Sequence, residues 1–331
     1  MKLKKLTALL LVLLLLAGCG TNPATETTTA PGTTAVQETA VATETTAAPE
    51  TTVPPETTVP ETSTAIQIAR EALTVHYIDV GQADCALLEC GGAYALIDGG
   101  NAEDGEKVVE YLEAQGVQRL NLVVGTHPHE DHIGGLAAVL DAFPADNIWF
   151  SEMPYTNSIV YSFINAAKRQ GKTLVTPAVG QRFCLGDALI TVLGPVKSGY
   201  EDANNLSLVL MVEYGDTRFL FTGDMERDAE LDLLDSGADV KADVLKVGHH
   251  GSYSSTSYVF LRAVAPTYAV ISVGAANDYG HPHDDPLSRL KDADVTIFRT
   301  DKMYTIVAVS DGEEISFTWG NAYAKPWTPA A

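Results

Sequence analysis

Residues 126–135 read Thr126-His127-Pro128-His129-Glu130-Asp131-His132-Ile133-Gly134-Gly135. Three histidines and one aspartate fall within six positions. The stretch follows an apolar run, Leu120 to Val124, that reads as a buried strand. It precedes Ile133 to Ala142, which reads as a helix. A strand-to-helix loop turns neighbouring side chains toward a common point. Neutral imidazole nitrogen and carboxylate oxygen are ligands that suit Zn²⁺, Mn²⁺ or Fe²⁺. With no thiolate in the cluster, the pattern favours a water-bearing catalytic site over a closed structural one. The plain alternative is a solvated histidine-rich turn, and a chance match to this spacing is rare.

Outward from this cluster, the 331-residue chain divides by composition. Lys2, Lys4 and Lys5 precede an apolar stretch from Leu6 to Leu16. That stretch is about half the length a membrane-spanning helix needs. It ends in Leu16-Ala17-Gly18-Cys19, which resembles the bacterial lipobox. The resemblance implies a signal peptide over residues 1–19, lipid on the Cys19 sulfur, and an extracytoplasmic, membrane-anchored location. Residues 20–64 are mostly Thr, Ala, Pro, Glu and Val, with Pro-Glu-Thr-Thr-Val-Pro at both 49–54 and 55–60. Such a composition predicts a disordered linker. Residues 65–320 read as one folded domain and 321–331 as a tail.

Within the domain, periodicity predicts strands over 73–80, 85–90 and 94–97, a helix over 104–115, and a strand over 120–124. Helices follow over 133–142 and 158–170, then strands over 189–193, 207–214 and 218–222. The remaining pattern is helix 227–235, strand 243–247, helix 257–263, strand 268–273, helix 286–292, and strands 295–299, 304–309 and 315–319. This is an α/β (α+β) pattern of two packed sheets covered by helices. Cys85, Cys90 and Cys184 are odd in number with no CxxC spacing, and read as free, mostly buried thiols. The chain carries 21 basic and 43 acidic residues, a net charge of −22. That field argues against non-specific nucleic-acid binding. It does not exclude a nuclease, because bound metal ions supply local positive charge.

Further motifs stand in order along the domain. They are Asp79-Val80-Gly81-Gln82-Ala83-Asp84, Leu96-Ile97-Asp98-Gly99-Gly100, Asn204-Asn205-Leu206-Ser207-Leu208-Val209-Leu210, Phe221-Thr222-Gly223-Asp224, Leu245-Lys246-Val247-Gly248-His249-His250-Gly251-Ser252 and Tyr279-Gly280-His281-Pro282. Together with HxHxDH, they make residues 73–319 resemble metallo-β-lactamase-fold hydrolases. Among these, the pattern is similar to the soluble domain of the DNA-uptake protein ComEC and its stand-alone relatives. The resemblance implies an αββα sandwich. It implies His127 and His129 as ligands of a first metal, Asp131 and His132 of a second, and Asp224 as the bridge. His249 or His250 would complete the second position. The residues leave that choice open, with His249 preferred because it directly follows the strand. One or two Zn²⁺ ions are expected, with Mn²⁺ as the alternative.

Two departures from the fold's usual pattern stand out. A histidine common between HxHxDH and the bridging aspartate is missing; Asn204, Asn205 and Ser207 occupy that region, as in ComEC-like members. Ala83 stands where glycine is frequent. Oxygen-rich coordination of this kind would suit Mn²⁺. Asp98, Asn205, Asp79 and Asp84 are expected behind or beside the ligands, where carboxylates orient imidazoles. His281 is expected at the cleft, donating a proton to the leaving group or touching phosphate. Ser252, Ser254 and Ser255 read equally as phosphate contacts and as helix caps.

The implied chemistry is hydrolysis by a metal-bound hydroxide, with Asp131, Asp224 and His281 as the catalytic groups. The ComEC resemblance points to a phosphodiester substrate. DNA is the natural candidate, and a phosphorylcholine-bearing wall polymer suits the expected location equally. Lactonase or β-lactamase chemistry of the same fold, and a non-catalytic metal-binding module, are the rivals. Membrane contact is expected through the lipid anchor only. The sequence does not set the oligomeric state.

Overall fold

The structure, a computed structural model, describes residues 71–152 and 156–321. The signal peptide, the Cys19 lipidation site, the linker and nearly all of the C-terminal tail lie outside the described residues.

The chain runs β1 (Leu73–Tyr77), β2 (Ala86–Cys90), β3 (Ala93–Ile97), α1 (Gly105–Ala114) and β4 (Leu120–Gly125). Next come α2 (Glu130–Ile133), α3 (Leu136–Ala142), β5 (Ala145–Phe150) and α4 (Ser158–Arg169). β6 (Arg182–Leu185), β7 (Ala188–Gly194), β8 (Val209–Tyr214), β9 (Thr217–Phe221) and α5 (Arg227–Asp235) follow. The last part is β10 (Val244–Lys246), α6 (Tyr258–Val264), β11 (Tyr268–Ile271), α7 (Asp284–Asp292), β12 (Thr296–Arg299), α8 (Thr300–Met303), β13 (Thr305–Ser310) and β14 (Ile315–Gly320).

Two seven-stranded sheets form, ordered β14-β13-β1-β2-β3-β4-β5 and β12-β11-β10-β9-β8-β7-β6. Each is mixed. In the first, β3, β4 and β5 are parallel; in the second, β9, β10, β11 and β12 are. Side chains alternate between the two faces along each strand. In β4, Leu122 and Val124 join the core between the sheets, while Val123 joins the core under α1, α3 and α4. Strands apolar on both faces need cover on both. A third core does the same for the second sheet, joining Leu220 and Leu245 to Ala229, Phe260 and Leu290. The result is the four-layer αββα sandwich.

The helix expected over 133–142 is two helices, α2 and α3, broken at Gly134-Gly135. The backbone there is pressed against the turn after β3. A Cβ on Gly135 would sit 2.1 Å from the Gly99 carbonyl oxygen. The Gly135 N–H instead donates to the Gly100 carbonyl at 3.1 Å, and the Gly99 N–H donates to that of His132 at 2.7 Å. β5 and β6 were not expected. Asp146 and Asn147 break the apolar pattern of β5, and β6 is a short, largely exposed edge. Cys85 and Cys90 are buried and free, whereas Cys184 is exposed. Among the described residues, no helix is long and apolar enough to cross a membrane.

Candidate metal centre

The expected ligands collect where parallel strands end. His127, His129, Asp131 and His132 follow β4, Asp224 follows β9, and His249-His250 follow β10. Loops beyond the carboxyl ends of parallel strands are where ligands bind in open α/β sheets. The first four ligands belong to one sheet and the last three to the other, so the centre is assembled across the sandwich. The two halves meet at Gly223, whose φ is +51°. A Cβ there would lie 2.8 Å from Ser207 Oγ and 3.1 Å from Thr126 Cβ. Only glycine tolerates that backbone at that distance.

Two groups of ligand atoms result. One is His127, His129 and Asp224; the other is Asp131, His132, Asp224 and His250. In the first, His127 Nε2 lies 3.0 Å from His129 Nδ1 and 3.8 Å from Asp224 Oδ2. In the second, His250 Nε2 lies 3.2 Å from Asp131 Oδ2 and 3.7 Å from Asp224 Oδ2. His132 Nε2 is 3.2 Å from Asp224 Oδ1. Asp224 is common to both groups.

The preference for His249 needs correction. His249 and His250 both have positive φ, +50° and +52°, inside a tight turn over Gly248–Gly251. That turn swings His250 inward, where it is almost fully buried. His249 is left at the rim, with Nδ1 3.3 Å from a Glu226 oxygen and Nε2 3.6 Å from Asp224 Oδ2. Strand alternation does not extend into such a turn, so position after β10 does not decide which ring faces the cluster.

Buried acceptors fix the imidazole tautomers. Asp98, in a left-handed conformation with φ +60°, accepts from the Thr126 N–H at 2.8 Å and from its hydroxyl at 2.7 Å. Its Oδ2 is also 2.8 Å from His132 Nδ1. His250 Nδ1 donates to the Ser272 carbonyl at 3.0 Å and faces Asp84 Oδ1 at 3.2 Å. With both Nδ1 atoms committed, each Nε2 faces the cluster. Ser207 Oγ accepts from the Asp224 N–H at 3.0 Å. Ser207 thus supports the bridge from the region where the fold often has histidine.

Sequence reasoning missed Lys246. This residue ends β10 with 4% of its side chain exposed, and its Nζ lies 2.8 Å from Asp84 Oδ2. Burial would raise the Asp84 pKa, but Lys246 and His250 hold it down at about 2. Burial would likewise lower the His132 pKa, yet Asp224, Asp98 and Asp131 hold it well above the usual range. Burial would raise Asp224, and His132 and His250 hold it well below. The cluster therefore demands positive charge.

Two expected neighbours play other parts. Asp79 Oδ1 accepts from the Gly81 N–H at 3.2 Å, closing its own turn. Asn205 Oδ1 accepts from the Glu226 N–H at 3.1 Å, bracing the start of α5. Its neighbour Asn204, not Asn205, lines the cleft. The reason is local: residues 203–206 form a single 3-10 turn, which sends adjacent side chains different ways. Ser257 caps α6, its hydroxyl accepting from the Phe260 N–H, so Ser252, Ser254 and Ser255 do not cap that helix.

The cluster floors an open cleft of about 360 Å³, with Gln82, Asn204, Tyr279 and His281 on its walls. Gln82 Oε1 accepts from the Gly274 N–H at 3.1 Å, which fixes the amide orientation. Gln82 Nε2 therefore donates to His281 Nδ1, 3.3 Å away. The His281 proton is then on Nε2. Burial and the charges on His250 and His249 lower the His281 pKa to about 4.

The residues fit divalent cations. His132 Nε2 and Asp224 Oδ1 are buried, and neither is aligned with a hydrogen-bond partner. They face each other at 3.2 Å, a contact that needs a proton on His132 and that a divalent cation would replace. The donors are imidazole and carboxylate throughout, a set that suits catalytic Zn²⁺ and Mn²⁺. A third grouping, Asp84, Asp98 and His132, does not fit. There the Lys246 ammonium already neutralises Asp84.

Residues 78–275 match the family model described as the metallo-beta-lactamase superfamily. With more than half of its length matched, the chain belongs to that superfamily, whose fold binds divalent metals. Over 250 residues it is 31% identical to ComE operon protein 3 of Bacillus subtilis, covering 70% of this chain and 32% of that protein. Over 225 residues it is 32% identical to Competence protein ComA of Neisseria gonorrhoeae, covering 67% and 30% respectively. The chain thus spans about a third of the length of these curated relatives. The solved metallo-beta-lactamase fold protein YhfI from Bacillus subtilis matches with a TM-score of 0.50 at 14% identity, over 71% of this chain and 99% of that one. That likeness bears on the fold alone.

Proposed function

We propose that this domain is a phosphodiester hydrolase working at a two-cation site. One observation carries the reading: two His/Asp ligand groups share Asp224 on the floor of an open cleft. A pair of divalent cations bound there would neutralise phosphate oxygens and acidify the attacking water. Zn²⁺ suits the imidazoles, and Mn²⁺ the carboxylates of Asp131 and Asp224 in the second group.

The chain's own residues do the rest. Asp131 and Asp224 border the cleft and orient the attacking water. His281, its proton held on Nε2 by Gln82, would donate a hydrogen bond from that N–H to the leaving oxygen and stabilise its developing charge. Asp98 and Ser272 hold the rings of His132 and His250 so that no reorientation is needed during reaction.

The match to competence proteins favours DNA as substrate. A second reading rests on charge. Among the described residues the cleft lining holds no lysine or arginine, and the chain carries −22. That favours a small phosphodiester, such as a phosphorylcholine ester, over a long polyanion. The lipid anchor on Cys19 would place the activity outside the cytoplasm. The test is a substrate panel on the metal-loaded chain: bis-p-nitrophenyl phosphate, plasmid DNA, p-nitrophenylphosphorylcholine and a chromogenic cephalosporin. Cleavage of at least one phosphodiester is expected; turnover of the cephalosporin alone would overturn the reading.

A further inference from the structure

Asp84 sits in the turn between β1 and β2, yet it touches both halves of the centre. Its backbone N–H donates to the Asp131 carbonyl at 3.0 Å, and its own carbonyl accepts from the Gly100 N–H at 2.9 Å. Its side chain crosses to the other sheet. Oδ2 lies 2.8 Å from Lys246 Nζ, and Oδ1 lies 3.2 Å from His250 Nδ1. Lys246 Nζ also donates to the Val247 carbonyl at 3.0 Å, which anchors the ammonium. The two side chains are only 4% and 7% exposed. Burying an ion pair costs desolvation and seldom adds net stability over apolar packing. This pair bridges the two halves of a site assembled across the sandwich, so geometry explains it better than stability does.

We propose that the Asp84–Lys246 pair is a positioning device for the second cation position. It holds Asp131 and His250, which come from opposite halves, at the 3.2 Å separation of their ligand atoms. Lys246 fixes the Asp84 carboxylate. That carboxylate, with the Ser272 carbonyl, keeps a proton on His250 Nδ1 and leaves the Nε2 lone pair facing Asp131 and Asp224. Neither Asp84 nor Lys246 lines the cleft, so both act through the ligands. The proposal rests on the two-cation reading of the site.

The test loads the full chain with Zn²⁺ and counts bound ions during titration with a chelator. Wild type is compared with Asp84→Asn, Lys246→Met and the double variant Asp84→Asn/Lys246→Met. Each single variant strands one buried charge and folds poorly. The double variant strands none and melts close to wild type. It is expected to keep the first ion at wild-type affinity and to hold the second about 10–100-fold more weakly. Two ions at wild-type affinity in the folded double variant would overturn the proposal and leave the site reading intact. A wild type that binds no second ion would overturn both. Independently of any variant, ¹⁵N NMR of the Zn²⁺-loaded wild type is expected to place the His250 proton on Nδ1. A proton on Nε2 overturns the proposal.

Discussion

His132 Nε2 and Asp224 Oδ1 face each other at 3.2 Å in the buried floor of the cleft, and neither is aligned with a hydrogen-bond partner. Without a metal ion this contact is satisfied only by a proton on His132, and a divalent cation would take that proton's place. Folding therefore brings together a pair that a divalent cation completes. Removing metal with a chelator is expected to lower stability. With free metal at about 100 times its dissociation constant, the loss is about 2.7 kcal/mol per site. That is a fall in Tm of roughly 5–10 °C for a domain of this size. Differential scanning calorimetry with and without EDTA measures it, and an unchanged Tm would count against bound metal.

Asp224 is shared by both ligand groups, so its loss is not confined to one ion. Asp224→Ala is expected to bind at most one Zn²⁺ per chain and to lose about a thousandfold or more in phosphodiester turnover. Metal analysis after dialysis and a bis-p-nitrophenyl phosphate assay check both parts.

The adjacent histidines are expected to differ. His250 is buried beside Asp131, while His249 sits at the rim against Glu226. His250→Ala should lose the second Zn²⁺, and His249→Ala should keep two. Equal losses would show that the turn presents both rings to one ion.

Gln82 sets the His281 tautomer, so its effect depends on the leaving group. Gln82→Leu is expected to leave cleavage of p-nitrophenyl esters nearly unchanged, because p-nitrophenolate departs without help. Alkyl phosphodiesters, whose poorer leaving oxygens depend on the hydrogen bond from His281 Nε2–H, should slow by about 100-fold, and His281→Phe should match that pattern. Equal slowing of both substrates would assign His281 to binding instead.

His76 is in neither ligand group nor the cleft lining, and it gives a pH prediction. It is buried on β1 with Nδ1 2.8 Å from the Tyr111 hydroxyl, and burial lowers its pKa to about 4. Unfolded histidine titrates near 6.5. The folded state holds fewer protons between these values, so stability is complete above pH 6.5 and falls toward pH 4. The expected loss from this residue between pH 7.5 and pH 5 is about 2 kcal/mol. Urea unfolding of wild type and His76→Phe at both pH values isolates it, since the variant lacks that contribution.

What the sequence revealed follows from how local each signal is. His127 to His132 are consecutive, so their convergence on one loop needs only a strand before them and a turn after. Asp224 became readable through its order behind Thr222-Gly223. Choosing between His249 and His250 required φ angles, because two left-handed residues in succession obey no strand or helix period. Lys246 was hidden for another reason. It sits in an apolar strand as a single charge, and its partner Asp84 lies 162 positions away on the other sheet. Nothing local announces such a pair. β5 was missed because polar, at least partly exposed Asp146 and Asn147 stand near the start of a strand whose second half is buried. The αββα layers were expected from the motifs, whereas periodicity alone gave only strands and helices in mixed order.

The most direct test of a two-cation phosphodiesterase is bis-p-nitrophenyl phosphate hydrolysis by the full chain as Zn²⁺ or Mn²⁺ is added in steps to metal-free protein. The rate should stay low through the first equivalent, rise with the second, and vanish with EDTA. A preparation holding two ions per chain that leaves the phosphodiester intact, yet opens a chromogenic cephalosporin, would contradict the account.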